Sequence, residues 1–537
     1  MMNNCINEKT FLRTSVGLFF IFIALTALAL ISCSRKAETR RPFTMRVPMP
    51  MTSFDPVQTV DAATLQIHLN TYSLLFRQRA SGKVEPSLAL SATPLDNGRT
   101  WKVTIRSGVR FCNSRYTHEV LAEDVAATLR RAATHPASRV AWLFSALRSS
   151  DEDGGVKVTG KYELVLSFKK PIDLPRYLTL PQLGILPHEV AADKDFVFGQ
   201  ESIGSGPYRI AAVEPGTIRL QRCESGFPRA NLPSVDLKVI RDENVALEML
   251  KSRTIDAMEV DFTGWHEFNS GNNSEIPGYK KYVVDKTADF EFLLFNVQNP
   301  AVKAPLVRRA LMYALDRREL CSSALKDYCS PVSFIPKYGN PVPEQSGEDD
   351  PLYRPELARK LWQDAGAARP SRLELYAFSE TRNYTVAQWV ARQWEKLLGV
   401  KVDVKTYDFG SLFGILFGGQ GFEISELWVQ PLSDLYEIWY LAWQPDDLPP
   451  RGRNISRYQN PTFKKLFADL VHAEFIQGAR NPDDIKRLMS RVEEVLEDDP
   501  PAIPLYARKQ VWLVSNRYKW QFGPYIVPEL WQLQETE

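Results

Sequence analysis

Residues Pro86–Val125 read PSLALSATPLDNGRTWKVTIRSGVRFCNSRYTHEVLAEDV, and both periods of regular structure occur within them. Thr100–Arg106 (TWKVTIR) alternates apolar and polar side chains, the period-two pattern of a strand with one buried face. The pattern changes at Ala122. Ala122–Ala133 (AEDVAATLRRAA) spaces its apolar residues as a helix does. Glu123 and Asp124 stand in the first turn, where carboxylates meet the positive end of the helix dipole.

The same alternation continues outward. Tyr162–Phe168, Val235–Ile240, Phe290–Phe295 (FEFLLF), Leu373–Phe378 and Lys401–Tyr407 read as strands. Glu243–Lys251, Val307–Leu315, Pro355–Ala365, Val386–Leu398 and Ile485–Glu497 read as helices, and Gly366 stands where the third of these should be capped. Strand, helix and strand in succession over residues 373–407 predict an α/β lobe. A chain of 537 residues exceeds what one core usually serves, so two or three domains are expected.

Composition excludes several classes. Net charge is +2 with acids and bases interspersed, which gives no basis for a nucleic-acid partner. No G-x-S-x-G, H-E-x-x-H or P-loop occurs, and Asp349-Asp350 and Asp498-Asp499 read as solvated turns. No catalysis and no cofactor are expected. Twelve Trp, 20 Tyr and 28 Phe suit both large cores and an aromatic-lined cleft. The six histidines (His68, His118, His135, His188, His266, His472) show no paired ligand spacing, so no metal site is expected.

The N-terminus has the pattern of an export leader. Lys9 and Arg13 precede an apolar run from Val16 to Ile31, shorter than the roughly 20 residues a spanning helix needs. Leu30-Ile31-Ser32-Cys33 resembles the bacterial lipobox. The resemblance implies a leader over residues 1–32 and a diacylglyceryl group on Cys33. Four cysteines then remain, which allow three pairings in an oxidising compartment. Cys321 and Cys329 are close enough in sequence to close a small loop, and a disulfide is expected there.

Motifs from one end of the mature chain to the other resemble the peptide-binding family of ABC-importer receptors, the bacterial extracellular solute-binding proteins of family 5. Ser53-Phe54-Asp55-Pro56 resembles the family's early L-D-P, and Tyr72–Phe76 its Y-E-G-L helix. Pro86–Leu90, Asn97–Trp101, Ile105–Phe111 and Ala122–Val125 follow its signature "P-x-L-A … dG-x-x-y-x-F-x-L-R-x-G-V-x-F … A-x-D-V". Gly204–Tyr208 is similar to G-T-G-P-Y. Phe295-Asn296, Val307–Leu311 and Ala314–Arg317 are similar to "F-N … V-R-x-A-[LI] … A-[IL]-D-R". Ala358–Leu361 with Ala365-Gly366, and Asp499–Tyr506, resemble the later motifs.

The resemblance implies a two-lobed periplasmic-binding-protein fold (type II, cluster C) with an extra subdomain. Residues 33–75 would begin lobe I, 76–185 form the subdomain, 186–294 continue lobe I, 295–503 form lobe II, and 504–537 return. The crossings would lie near Phe295-Asn296 and Ile503–Tyr506. The resemblance further implies a monomeric receptor in the bacterial periplasm, or at the cell surface in a Gram-positive organism. It would capture oligopeptides by hinge closure and deliver them to an ABC permease.

Carried over residue by residue, ligand contacts would come from Thr59, Val60 and Asp61 in the loop after Pro56, from Asn296, from Phe409 as an aromatic platform, and from Tyr506. Phe422–Asp434 (FEISELWVQPLSD) matches the family's ligand-edge strand, which adds Glu426, Trp428, Val429 and Gln430. In the family an Asp after the Trp grips the peptide's α-ammonium, but Pro431 stands at that position here. Either Asp434 substitutes for it, or the ligand lacks an ordinary free N-terminus, as a peptidoglycan stem peptide can. A nickel or metallophore receptor is the near alternative, and a lipid-anchored adhesin or chaperone the distant one.

Overall fold

The signature stretch builds a small sheet and the helix that covers it. In a computed structural model, Thr100–Ile105 pairs with Ala89–Leu95 and Glu163–Ser167, and Val156–Gly160 completes four strands. Trp101, Val103 and Ile105 are buried, and the residues between them are half-exposed. Helix α1 (Ala122–Thr134) packs Val125, Ala126, Leu129 and Ala132 into the same core. Full burial of a side chain such as Val125 or Leu129 stabilises by about 1.5–3 kcal/mol. Asp124 caps α1, its Oδ2 accepting the Leu121 N–H at 2.7 Å.

The structure describes residues 41–59, 61–78, 83–138, 140, 141, 144, 147, 155–169, 172–269, 276–284, 290–334, 350–418, 421–429, 443, 448, 449, 454–475, 481–521 and 528–536. Two larger sheets lie within them. The first has seven strands in the order Tyr279–Val284, Gln510–Ser515, Ala257–Val260, Phe43–Val47, Ser234–Val239, Thr217–Arg222 and Tyr208–Glu214. The second has six. At its centre β1 (Phe290–Phe295) lies between β2 (Ile424–Val429) and β3 (Ala502–Arg508). Cys329–Pro331 pairs outside β3, and Arg372–Phe378 followed by Lys401–Tyr407 outside β2. Every residue of β1 is buried, as a near-continuous apolar strand requires. The reading of residues 373–407 holds: two parallel strands flank helix α2 (Thr381–Leu398). Gly366, with φ +51°, follows the helix Pro355–Asp364, a backbone conformation that favours glycine.

The chain crosses from the first large sheet to the second between Val284 and Phe290, and returns between Arg508 and Gln510. The expected crossings near Phe295-Asn296 and Ile503–Tyr506 therefore fall inside the second sheet. The motifs that suggested them are its central strands, apolar because they are buried on both faces. Beside the crossings the two lobes touch. Trp265 Nε1 donates to the Lys326 carbonyl at 2.8 Å, Phe262 and Trp265 pack against the Tyr328 ring, and Arg508 pairs with Glu259 at 3.3 Å.

The expected Cys321–Cys329 disulfide is present, with Cα atoms 5.3 Å apart. A second joins Cys112 to Cys223 across 111 residues, one of the pairings the sequence left open. Among the described residues no helix is long and apolar enough to cross a membrane.

Candidate ligand site at the lobe junction

The register of β1, β2 and β3 assembles the site. Glu291 on β1 lies opposite Trp428 on β2 and Tyr506 on β3. Directly opposed residues of antiparallel strands share a face, so the three side chains stand in a row. Glu426, two residues before Trp428, shares that face. The N-terminus of α2 adds Arg382 and Asn383. Arg382 approaches Glu291 to 3.5 Å, and Asn383 Nδ2 and the Tyr506 hydroxyl donate to its two oxygens at the same distance. The row lies one residue from where β1 begins and two from where β3 ends, at the end of the sheet that faces the crossings.

The charges are arranged unevenly. Burial works against the Arg382 charge, but Glu291 and Tyr506 outweigh it and hold the guanidinium more firmly protonated than usual. Burial first, and then the Glu291 charge, push Glu426 well above the usual carboxylate range. Glu426 is fully buried, and neither of its oxygens has a hydrogen bond of ordinary geometry among the described residues, although Asn383 and Glu291 lie close enough to act on it electrostatically. The contacts to Glu291 are at the outer limit of hydrogen bonding. The row is paired in charge but loosely bonded.

β2 pairs with β1 along its whole length, whereas pairing with Arg372–Phe378 is confined to Ile424 and Ser425.

The first-lobe loop is built differently. Arg131 of α1 grips Asp55 with two hydrogen bonds of 2.8 and 2.7 Å, both partners buried. Thr59, expected at the ligand, is wholly buried. Its hydroxyl donates to the Pro56 carbonyl at 2.7 Å and lies 2.6 Å from His68 Nδ1, and its carbonyl accepts from Gln182. Burial lowers the His68 pKa to about 4 against the pull of Asp55 and Asp61, so the ring is neutral. Asp61 caps the helix Ala62–Thr71 through the Thr64 N–H at 2.8 Å, and also accepts from the Thr52 and Thr64 hydroxyls. Both side chains serve the loop's own structure.

Asn296 is likewise displaced from the expected role. Its amide donates to the Phe422 carbonyl at 3.0 Å, at the end of β1 remote from the crossings. At about 3.3 Å per residue it lies roughly 16 Å along the strand from Glu291. The expectation followed from placing the crossing at residue 295. Phe409 opens the helix Phe409–Phe417 directly after Lys401–Tyr407, at the same sheet end as Trp428. Val429 contributes backbone opposite Phe290. Cys33, Val60, Gln430, Pro431 and Asp434 lie outside the described residues. Sequence reading missed Glu291 and Arg382. The signal for Glu291 was present as the one charge in FEFLLF, whereas Arg382 carries no local mark.

Residues 83–461 match the family model described as bacterial extracellular solute-binding proteins, family 5 Middle. The chain is 22% identical over 498 residues to the oligopeptide-binding protein OppA of Bacillus subtilis, covering 87% of each. Among solved structures it is similar to NikZ from Campylobacter jejuni in complex with Ni(L-His), with TM-score 0.76 and 18% identity over 92% of this chain and 99% of that one. It is equally similar to the Escherichia coli murein tripeptide binding protein MppA, with TM-score 0.76 and 18% identity over 93% and 99%. At such identities the structural likeness speaks for the fold.

Proposed function

The chain belongs to the bacterial extracellular solute-binding proteins of family 5, and we propose that it captures oligopeptides between its two lobes and delivers them to an ABC permease. The observation that carries the proposal is the row of Trp428, Glu291 and Tyr506 across β2, β1 and β3, next to the crossings. A peptide added there as a strand would satisfy its own backbone, and side-chain contacts would supply the rest of the affinity. The family is one of binding receptors that work outside the cytoplasm, so no catalytic role is proposed. Lobe I begins the chain, holds the subdomain and resumes after Arg508, and lobe II runs from Phe290 to Arg508. The receptor acts as a monomer, anchored through lipid on Cys33. Incorporation of labelled fatty acid, lost in Cys33→Ser, tests the anchor.

A second reading concerns the ligand's N-terminus. Of the described acids near Trp428, Glu291 is already paired with Arg382, and burial, then the Glu291 charge, push Glu426 well above the usual carboxylate range. Neither offers a spare carboxylate to an α-ammonium, whose burial unpaired is costly. This favours peptides without an ordinary free N-terminus, such as stem-peptide fragments. Native mass spectrometry of the purified protein, followed by calorimetry with free and N-acetylated forms of any co-purified peptide, tests both readings. Peptide binding that quenches tryptophan emission and weakens at least tenfold in Trp428→Ala supports the site. No binding from any peptide pool refutes the function, and a strong preference for the free amine refutes the second reading.

A further inference from the structure

Outside the lobe junction, three separate segments of the first lobe bring metal-ligating side chains together. His118 stands in the hairpin closed by the Arg110–Glu119 bridge and by the hydrogen bond from Phe111 N–H to the His118 carbonyl. Asp124 is in the first turn of α1. His188 and Glu189 open the short helix His188–Ala192, which packs on α1. One ligand atom from each of the four residues lies within 4.8 Å of all the others.

The distances have the scale of a coordination shell. Asp124 Oδ1 is 2.9 Å from His188 Nδ1 and 3.4 Å from His118 Nε2. Glu189 Oε2 is 3.5 Å from His188 Nδ1 and 3.9 Å from His118 Nε2. Four ligands at about 2.0–2.1 Å from a tetrahedral ion stand about 3.4 Å apart, inside that range. The two carboxylates also present negative charge that a divalent cation balances. Asp124 forms a fixed floor. It is fully buried, and its oxygens accept the Leu121 N–H at 2.7 Å and the His188 N–H at 2.8 Å, the kind of outer support that orients a ligating carboxylate. His118, His188 and Glu189 are 32%, 36% and 49% exposed, which leaves an entry from solvent. Cys112, Cys223, Cys321 and Cys329 are tied in disulfides and do not compete as thiolates.

We propose that His118, Asp124, His188 and Glu189 bind one divalent first-row transition ion, zinc foremost, and that the ion clamps the hairpin and the short helix to α1. Histidine nitrogen with carboxylate oxygen suits zinc and its neighbours better than calcium or magnesium, which prefer all-oxygen shells. The site is separate from the ligand edge of β2, and neither depends on the other.

The test is zinc titration of the chelator-stripped protein by calorimetry, with native mass spectrometry for stoichiometry. One zinc per chain and a zinc-dependent rise in thermal midpoint are expected. His118→Gln with His188→Gln should weaken binding by more than about 100-fold, and Glu189→Gln by about 10-fold. Far-ultraviolet circular dichroism and unchanged peptide binding would show that the variants fold. Failure of the stripped protein to take up zinc would overturn the proposal. So would zinc affinity that persists in the folded double variant, which would mean that zinc binds elsewhere.

Discussion

Asp55 in the first lobe and Glu426 in the second are both buried carboxyls close to an arginine, yet their surroundings treat them in opposite ways. Asp55 is gripped by both arms of Arg131, and its charge is fully matched. Glu426 has Arg382 nearby but bonded to neither oxygen, and the adjacent Glu291 makes ionisation costly. The first arrangement locks a loop. The second leaves the Glu426 oxygens without a hydrogen bond of ordinary geometry among the described residues at the lobe junction. A receptor needs one half rigid and the other able to change partners, and this contrast supplies both.

The contrast extends to the covalent links, where the largest effect is expected. Cys112–Cys223 closes a loop of 111 residues in the first lobe, and Cys321–Cys329 one of 8 in the second. Loop-closure entropy assigns about 5 kcal/mol to the first and about 2.5 to the second. Replacing each pair by serine and measuring denaturant unfolding should reproduce that order, and equal losses would break the comparison.

Arg131→Ala comes next. It strands Asp55 as an unpaired buried charge and should cost about 3–5 kcal/mol. A loss below about 1 kcal/mol would mean that the first lobe is not locked in this way.

The two regions should also respond to pH with opposite sign. His68 has its folded pKa lowered from 6.5 to about 4. The unfolded chain therefore takes up the proton first, and stability present above pH 6.5 is lost as pH falls towards 4. At about 1.4 kcal/mol per unit the loss approaches about 3 kcal/mol. His68→Gln should flatten this acid limb in thermal melts.

Glu426 is displaced the other way. The folded state keeps its proton while the unfolded chain releases it above about pH 4.5, so stability falls as pH rises. Glu426→Gln should therefore gain stability at pH 8 and none at pH 4, read from denaturant unfolding at the two pH values. A loss at pH 8 would show that Glu426 is ionised and paired.

Much of the fold was legible because its signals are local. The alternation in TWKVTIR, the acids that open α1 and the glycine after Asp364 each act within a turn or two of chain. For the candidate site, the resemblance pointed to Trp428 and Glu426, which share one face of β2. Thr59, Asp61 and Asn296 were expected at the ligand, and in the structure they complete a loop, a cap and a strand end. Their polar side chains suit either role, and only the neighbours decide which.

Sequence by itself determined the α/β class and the family, since these rest on periodicity and ordered motifs, and nearness along the chain made Cys321–Cys329 one of the pairings to expect. Tertiary structure alone decided where the lobes exchange the chain, that Glu291 and Arg382 meet, and that His118 comes within 3.4 Å of Asp124 and 5.7 Å, ring to ring, of His188. Charge pairing and metal ligation act over a few ångströms of space, whatever the distance along the chain. Residues 91 apart in the first case and 70 apart in the second become neighbours only when strand register and helix packing are set.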